Sequence, residues 1–236
     1  MSCLGTDKLN NIYEKLLRFP NSDMHVRTNV ERPEQELIAK FLPSECCVLE
    51  MGGESGTTSL IIDNILKDPS KHVLVEPSLR SIGKLANLKN LYKTSFHVAH
   101  GFVGRDRSTH EKLWDECKKC QMFDLCELEN IVNQKFDVLI IDCEGAFCNI
   151  VKEIPEILDS AKLIIIEMDG ADSEIPWLRN ILFSSGFELV QSHAHPYFNN
   201  GNKSLDFGEV RTVEDLKVLK SRKNLIGFHE VYVKFS

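Results

Sequence analysis

A chain of 236 residues, 42% apolar and 27% charged, fits one ordinary α/β domain with some elaboration and can bury its core without disulfide staples. The 28 Lys+Arg against 35 Asp+Glu leave a net charge of −7, which disfavours attachment to nucleic acid by phosphate neutralisation, so no nucleic-acid partner is expected. No apolar run reaches membrane-spanning length, the first residues lack a basic-then-apolar signal, and the eight cysteines fall largely in strand- and helix-like segments that suit reduced thiols, so a cytoplasmic protein without a membrane span is expected.

The opening helix is read from Leu9, Ile12, Tyr13, Leu16 and Leu17, which recur at helical spacing. A second helix begins at Pro33, a favoured first-turn residue, and carries Leu37, Ile38, Phe41 and Leu42. These two make an N-terminal helical segment, residues 1–44, packed on a domain that runs from 45 to 236. In that domain, apolar runs of strand length alternate with helical patterns, which predicts a mostly parallel sheet with helices on both faces.

Strand one is Cys46 to Glu50, followed by a helix with Leu60, Ile61, Ile65 and Leu66. Strand two is His72 to Glu76, followed by a helix bearing Leu79, Ile82, Leu85 and Leu88. Ser95 to Ala99 is a weaker third strand, then comes a less regular stretch to about Gln121 and a helix with Leu125, Leu128, Ile131 and Val132. Phe136 to Asp142 is the strongest strand in the chain, and the helix after it carries Phe147, Ile150, Val151, Ile154 and Leu158. Strand five is Leu163 to Met168, and a helix around Trp177, Ile181 and Leu182 ends near Gly186. Phe187 to Gln191 and Glu230 to Phe235 are the last two strands, separated by a long polar insertion at roughly 196–225 with a short helix near Val213 to Leu219. The expectation is a Rossmann-like α/β fold of seven strands, the last inserted antiparallel beside strand five.

Between strand one and its helix stands Glu50-Met51-Gly52-Gly53-Glu54-Ser55-Gly56. Glycines allow a tight turn and close approach of a ligand to the backbone. The following helix start offers unpaired N–H groups and a positive end that attract a carboxylate. Thr57 or Thr58 is placed to cap that helix, Glu54 and Ser55 line the turn, and Glu50 is placed to accept from a ligand ammonium. Glu76, with Pro77 behind it, ends strand two twenty residues after Gly56, where a carboxylate can accept from ribose hydroxyls. An adenine is then expected near Ala99, His100 and Gly101, at the end of strand three. A dinucleotide fingerprint wants Gly-x-Gly-x-x-Gly, and Met51 occupies its first glycine; a phosphate loop of the kinase type lacks its Gly-Lys-Ser/Thr.

At the end of strand four stands Ile141-Asp142-Cys143-Glu144-Gly145-Ala146-Phe147. Asp142 and Glu144 sit where ligands of open α/β sheets bind, although either could simply cap the next helix. Phe136 to Ala146 resembles the Ile-Asp-x-Glu-Gly-Ala signature of FkbM-type methyltransferases, and Leu163-Ile164-Ile165-Ile166-Glu167 is similar to the family's strand ending in Glu. Two positions depart: Ile140 and Ile141 fill a region where the family often has Lys, and Phe147 replaces a frequent acid. The resemblance, spanning about Cys46 to Met168, implies a class I methyltransferase fold and an O-methyltransferase that uses S-adenosylmethionine on a hydroxyl of a sugar, glycan or other small molecule.

Methyl transfer needs in-line alignment and, for a hydroxyl acceptor, proton removal. Asp142 or Glu144 is the leading base, with Asp142 also facing the cofactor; His193 and His195 after strand six are secondary candidates. Asp142 and Asp169 permit a Mg²⁺ ion without demanding it, so no metal ligands are assigned. Cys117-x-x-Cys120 with Cys126 lacks a fourth close ligand and reads as incidental thiols rather than a zinc site. A nucleic-acid amino-methylating enzyme would show Asn/Asp-Pro-Pro-Tyr after strand four, where Asp-Cys-Glu-Gly stands. A protein methyltransferase and a non-catalytic module on the same fold both remain compatible with the strand pattern. The acceptor and the oligomeric state are not legible.

Overall fold

In the computed structural model, residues 3–16, 32–106, 120–168, 174–196 and 225–235 are described. Eight strands form one sheet: β1 (Val48–Met51), β2 (His72–Glu76), β3 (His97–Val103), β4 (Gln121–Phe123), β5 (Val138–Ile141), β6 (Leu163–Glu167), β7 (Phe187–Pro196) and β8 (Leu225–Lys234). Their order is β4-β3-β2-β1-β5-β6-β8-β7. β1 through β6 are parallel to one another, and β8 lies antiparallel between β6 and β7. The inserted antiparallel strand is thus where the sequence pattern predicts it.

The strand count of seven is corrected to eight among the described residues. Gln121–Phe123 adds to the far edge as β4, and strand three runs on through Gly101 to Val103 to meet it. A Cβ at Gly101 would stand 2.2 Å from the Gln121 carbonyl oxygen, so the glycine permits this close pairing.

Among the described residues, seven α-helices cover the sheet: α1 (Cys3–Leu16), α2 (Arg32–Phe41), α3 (Thr57–Ile65), α4 (Leu79–Tyr92), α5 (Leu125–Val132), α6 (Phe147–Glu153) and α7 (Glu174–Ser184). The predicted helix over 147–158 is split, because Pro155 opens a separate 3-10 turn. α5 has sharp ends: Asp124 accepts from Glu127 N at 2.8 Å while Asp124 N donates to Glu127 Oε2 at 2.9 Å, and Asn133 closes the helix in the left-handed region.

Alternation along the strands sorts the core into two layers. Leu49, Met51, Leu139, Ile141, Ile164 and Ile166 face α5, α6 and α7. Val48, Ile140, Ile165 and Val231 face the other way, onto Leu9, Ile12, Leu37, Ile38, Leu60 and Ile61 of α1, α2 and α3. Glu50, two residues on from Val48, therefore points to the α1–α3 side. The same parity assigns Asp142 after Ile140, Glu167 after Ile165, and His229 before Val231 to that face. Arg179 and Glu230, joined by a buried ion pair with Tyr232 donating to Glu230 at 2.5 Å, pin α7 to β8 on the opposite face.

Candidate functional site

The sheet order reverses between β1 and β5, and their carboxyl ends open the crevice where ligands of such sheets bind. The chain enters it at Gly52, in the left-handed region with φ +92°, where Gly52 N donates to Val75 O at 3.0 Å. A Cβ on Gly52 would stand 1.6 Å from the carbonyl oxygen of Asp142, so only glycine lets the β1 loop pass the end of β5. Asp142 N donates to Met51 O at 2.9 Å and closes the junction. Gly53 and Gly56 are also crowded: a Cβ on the first would lie 2.6 Å from Leu74 Cδ1, and on the second 2.7 Å from Leu85 Cδ2.

α3 begins directly after this turn. Gly56 occupies its N-cap with φ +80° and no side-chain cap, so the capping role expected of Thr57 or Thr58 is not seen. Ser55 Oγ instead lies 2.9 Å from Thr57 Oγ1, and Thr58 Oγ1 donates to Glu34 of α2 at 3.3 Å and accepts from Gln35 at 3.5 Å.

Glu50 is buried at the end of β1. Its Oε2 accepts from Ser59 Oγ at 2.7 Å and from His72 Nε2 at 2.8 Å. Its other oxygen, also buried, has no hydrogen-bond partner among the described residues. A buried carboxylate oxygen without a partner is costly unless something else donates to it.

Glu76 is buried at the end of β2 and is turned onto the loop. Its Oε2 accepts from Gly53 N and Glu54 N, both at 3.0 Å, and its Oε1 accepts from Ser78 N at 2.7 Å. Glu54 is held in a left-handed conformation at φ +34° in this closed turn. Next in register to Glu76 on β3 is His100. His100 Nε2 and Cys120 Sγ both donate to Pro77 O at 3.1 Å, and Ala99 is buried in the core beside them.

Asp142 follows β5 directly, and Glu167 ends the adjacent strand β6 one step on from the Ile141–Ile166 pair. Burial and the charges of Glu167, Glu144 and Glu50 hold the Asp142 carboxyl well above the usual carboxylate range. Glu144 itself is exposed, in a left-handed turn (φ +53°) before Gly145. α6 has Ala146 at its N-cap and no side-chain cap, so neither acid serves as the helix cap that the sequence also allows. In the sequence Glu167 stands out only as the end of a family strand; the signal that could find it is an acid ending a strand next to one that also ends in an acid. His229 faces it from β8, with Nε2 4.0 Å from Glu167 Oε1.

Toward α6 and α7, Ile141, Phe147, Ile166, Met168, Ile175 and Leu178 line a small, mostly apolar crevice together with Glu167. Asp169, Cys117, His110 and the 197–224 insertion lie outside the described residues, as do the side chains of His193 and His195. Among the described residues no group of three or more His, Cys, Asp or Glu is arranged to hold a metal ion. No described helix is long and apolar enough to cross a membrane.

Fold and site together define a Rossmann-like sheet of the methyltransferase type. Two solved structures were found similar to the chain. A Streptococcus pneumoniae protein assigned as a tRNA (m1A22) methyltransferase, in complex with S-adenosyl-L-methionine, matches at TM-score 0.50 and 13% identity, covering 88% of this chain and 74% of that one. An O-methyltransferase from Bacillus cereus in complex with S-adenosylhomocysteine matches at TM-score 0.49 and 14% identity, covering 97% and 91%. At such identities the likeness is one of fold. No family profile matches the chain, and no curated protein matches it.

Proposed function

We propose that the chain is an S-adenosylmethionine-dependent O-methyltransferase of the FkbM type, acting on a hydroxyl of a sugar, glycan or other small molecule. The observation that carries this reading is the glycine junction between β1 and β5, set beside a buried Glu50 oxygen that lacks a donor. The S. pneumoniae structure of the same fold, which holds the donor, supports it.

The residues present fit the cofactor. The second oxygen of Glu50 would accept from its ammonium, and the first N–H groups of α3, flanked by Ser55, Thr57 and Thr58, would receive its carboxylate. Glu76 keeps lone pairs beyond its three backbone bonds, and these would accept from the ribose hydroxyls over Gly52, Gly53 and Glu54. Pro77, Ala99, His100 and Gly101 would border the adenine. When bound, the cofactor supplies an electrophilic methyl group.

Asp142 or Glu144 would take the acceptor's proton, Glu144 from its exposed turn and Asp142 from the end of β5. The two N-terminal helices, within residues 1–44, would cover the domain of 45–236 on the α3 side. A net charge of −7 weighs against a nucleic-acid acceptor, and free thiols at Cys46, Cys47, Cys120, Cys126, Cys143 and Cys148 suit the cytoplasm.

The test is donor turnover against a panel of glycosides, glycans and phenols, read as a mass gain of one methyl group. Glu144→Gln should lower turnover by about 10²-fold or more while leaving S-adenosylhomocysteine affinity unchanged. Unchanged turnover would remove Glu144 from the base role.

A further inference from the structure

Three polar side chains are buried together where β1, β2 and α3 meet: Glu50, Ser59 and His72, each no more than 1% exposed. Strand register explains the meeting. His72 pairs with Val48, and Glu50 with Leu74, so His72 and Glu50 both lie on the α3 side of the sheet. Ser59, the third residue of α3, reaches the same point from the helix. Its hydroxyl and His72 Nε2 donate to one oxygen of Glu50, at 2.7 and 2.8 Å. The carboxyl cannot turn without breaking one of these bonds, and at such burial solvent does not replace it.

Two buried atoms of this network have no hydrogen-bond partner among the described residues, Glu50 Oε1 and His72 Nδ1. Packing alone does not call for an imidazole here. The His72 ring lies against Phe96, centroids 5.2 Å apart, and Phe96 belongs to an apolar cluster with Leu74 and Leu85. A leucine at position 72 would suit such neighbours and leave no nitrogen unmet. What the imidazole adds is the bond to Glu50.

We infer that His72 and Ser59 are positioning residues for the amino-acid end of the cofactor: they hold Glu50 by one oxygen so that the other meets the ligand ammonium. This rests on the cofactor reading above and carries it from contact to specificity. Ser59 belongs to the first turn of α3, whose N–H groups would receive the ligand carboxylate. Its bond to Glu50 therefore fixes the spacing between the acceptor for the ammonium and the donors for the carboxylate. An α-amino acid satisfies both. A ligand without the amino group leaves Glu50 Oε1 buried and unmet, and that penalty is the source of discrimination.

The test compares S-adenosylhomocysteine with its deaminated analogue, which keeps the carboxylate, thioether and adenosine, by calorimetric titration of the full chain. The native protein should bind S-adenosylhomocysteine about 10-fold tighter or more. In His72→Leu that preference should fall to about twofold or less, through weaker binding of S-adenosylhomocysteine with the analogue's affinity unchanged. In His72→Gln, whose amide nitrogen can stand where Nε2 stands, the preference should return. A preference that survives in His72→Leu, or that His72→Gln fails to restore, overturns the positioning role. So does an equal loss of both ligands, which is what a merely structural histidine produces. If His72→Leu does not fold, Ser59→Ala, which removes only a hydroxyl from a helical turn, decides by the same loss of preference. A native protein that binds both ligands equally overturns the positioning role and leaves cofactor binding standing. Absence of S-adenosylhomocysteine binding overturns the cofactor reading itself, and the role of His72 and Ser59 with it.

Discussion

Gly52→Ala should break the loop and the cofactor site with it. The new Cβ would lie 1.6 Å from the Asp142 carbonyl oxygen and 2.7 Å from its carbon, both backbone atoms held by β1–β5 pairing. No side-chain rotation can relieve such a contact. A φ of +92° costs an alanine about 1–3 kcal/mol by itself. Moving the end of β5 away would sacrifice the Asp142 N to Met51 O bond and loosen Gly52 N to Val75 O, at about 1 kcal/mol each. The sum is about 3–5 kcal/mol, a large part of the 5–15 kcal/mol typical of a domain. Urea unfolding with matched m-values measures it, alongside S-adenosylhomocysteine titration of the fraction that folds. Gly83→Ala is the control: in α4, with nothing within 4 Å of its added Cβ, it should stabilise by about 0.5–1 kcal/mol. A Gly52→Ala protein within about 0.5 kcal/mol of native, with unchanged ligand affinity, would refute the reasoning.

Glu76→Ala strips the acceptor from three backbone N–H groups and should cost about 2–4 kcal/mol in chemical unfolding, together with cofactor affinity; a loss confined to affinity would mean the loop does not depend on it. Because the folded-state pKa of Asp142 is raised, the stability it contributes is complete below its unfolded value near pH ~4 and is lost as pH rises through the folded one. Asp142→Asn should therefore flatten the decline of melting temperature between pH 5 and pH 9, gaining on the native protein toward alkaline pH; parallel curves would contradict this. Burial pushes the Cys46 and Cys47 thiols up to about 12, with Asp137 adding to the effect, so both should resist iodoacetamide at pH 8 in the folded protein while exposed Cys126 is alkylated, as peptide mass mapping would register.

Where local chemistry decides an element, the sequence can be read closely. β2 and α5 have the expected extents because Pro77 ends one and the Asp124–Glu127 box opens the other. β4 is invisible for the opposite reason: three residues of Gln-Met-Phe carry no alternation, and only pairing with an extended β3 makes them a strand. Gly101 reads as a strand end, yet it lies inside β3 because the neighbouring chain comes too close for a side chain. At the site, residue types and order are legible, but orientation is not. The sequence has Glu50 facing a ligand, whereas strand parity turns one of its oxygens onto Ser59 and His72. It has Glu76 awaiting a ribose, whereas that carboxylate first ties the loop. Asp142 and Glu167 stand at the ends of two adjacent strands, a juxtaposition set by sheet order rather than by sequence spacing.

Cofactor binding is tested most directly by equilibrium dialysis of the full chain against methyl-labelled S-adenosylmethionine. Retention should saturate at about one label per chain, be displaced by S-adenosylhomocysteine, and be unaffected by NAD. No retained label at millimolar donor, or label displaced equally by NAD, would contradict the assignment of the β1–α3 loop.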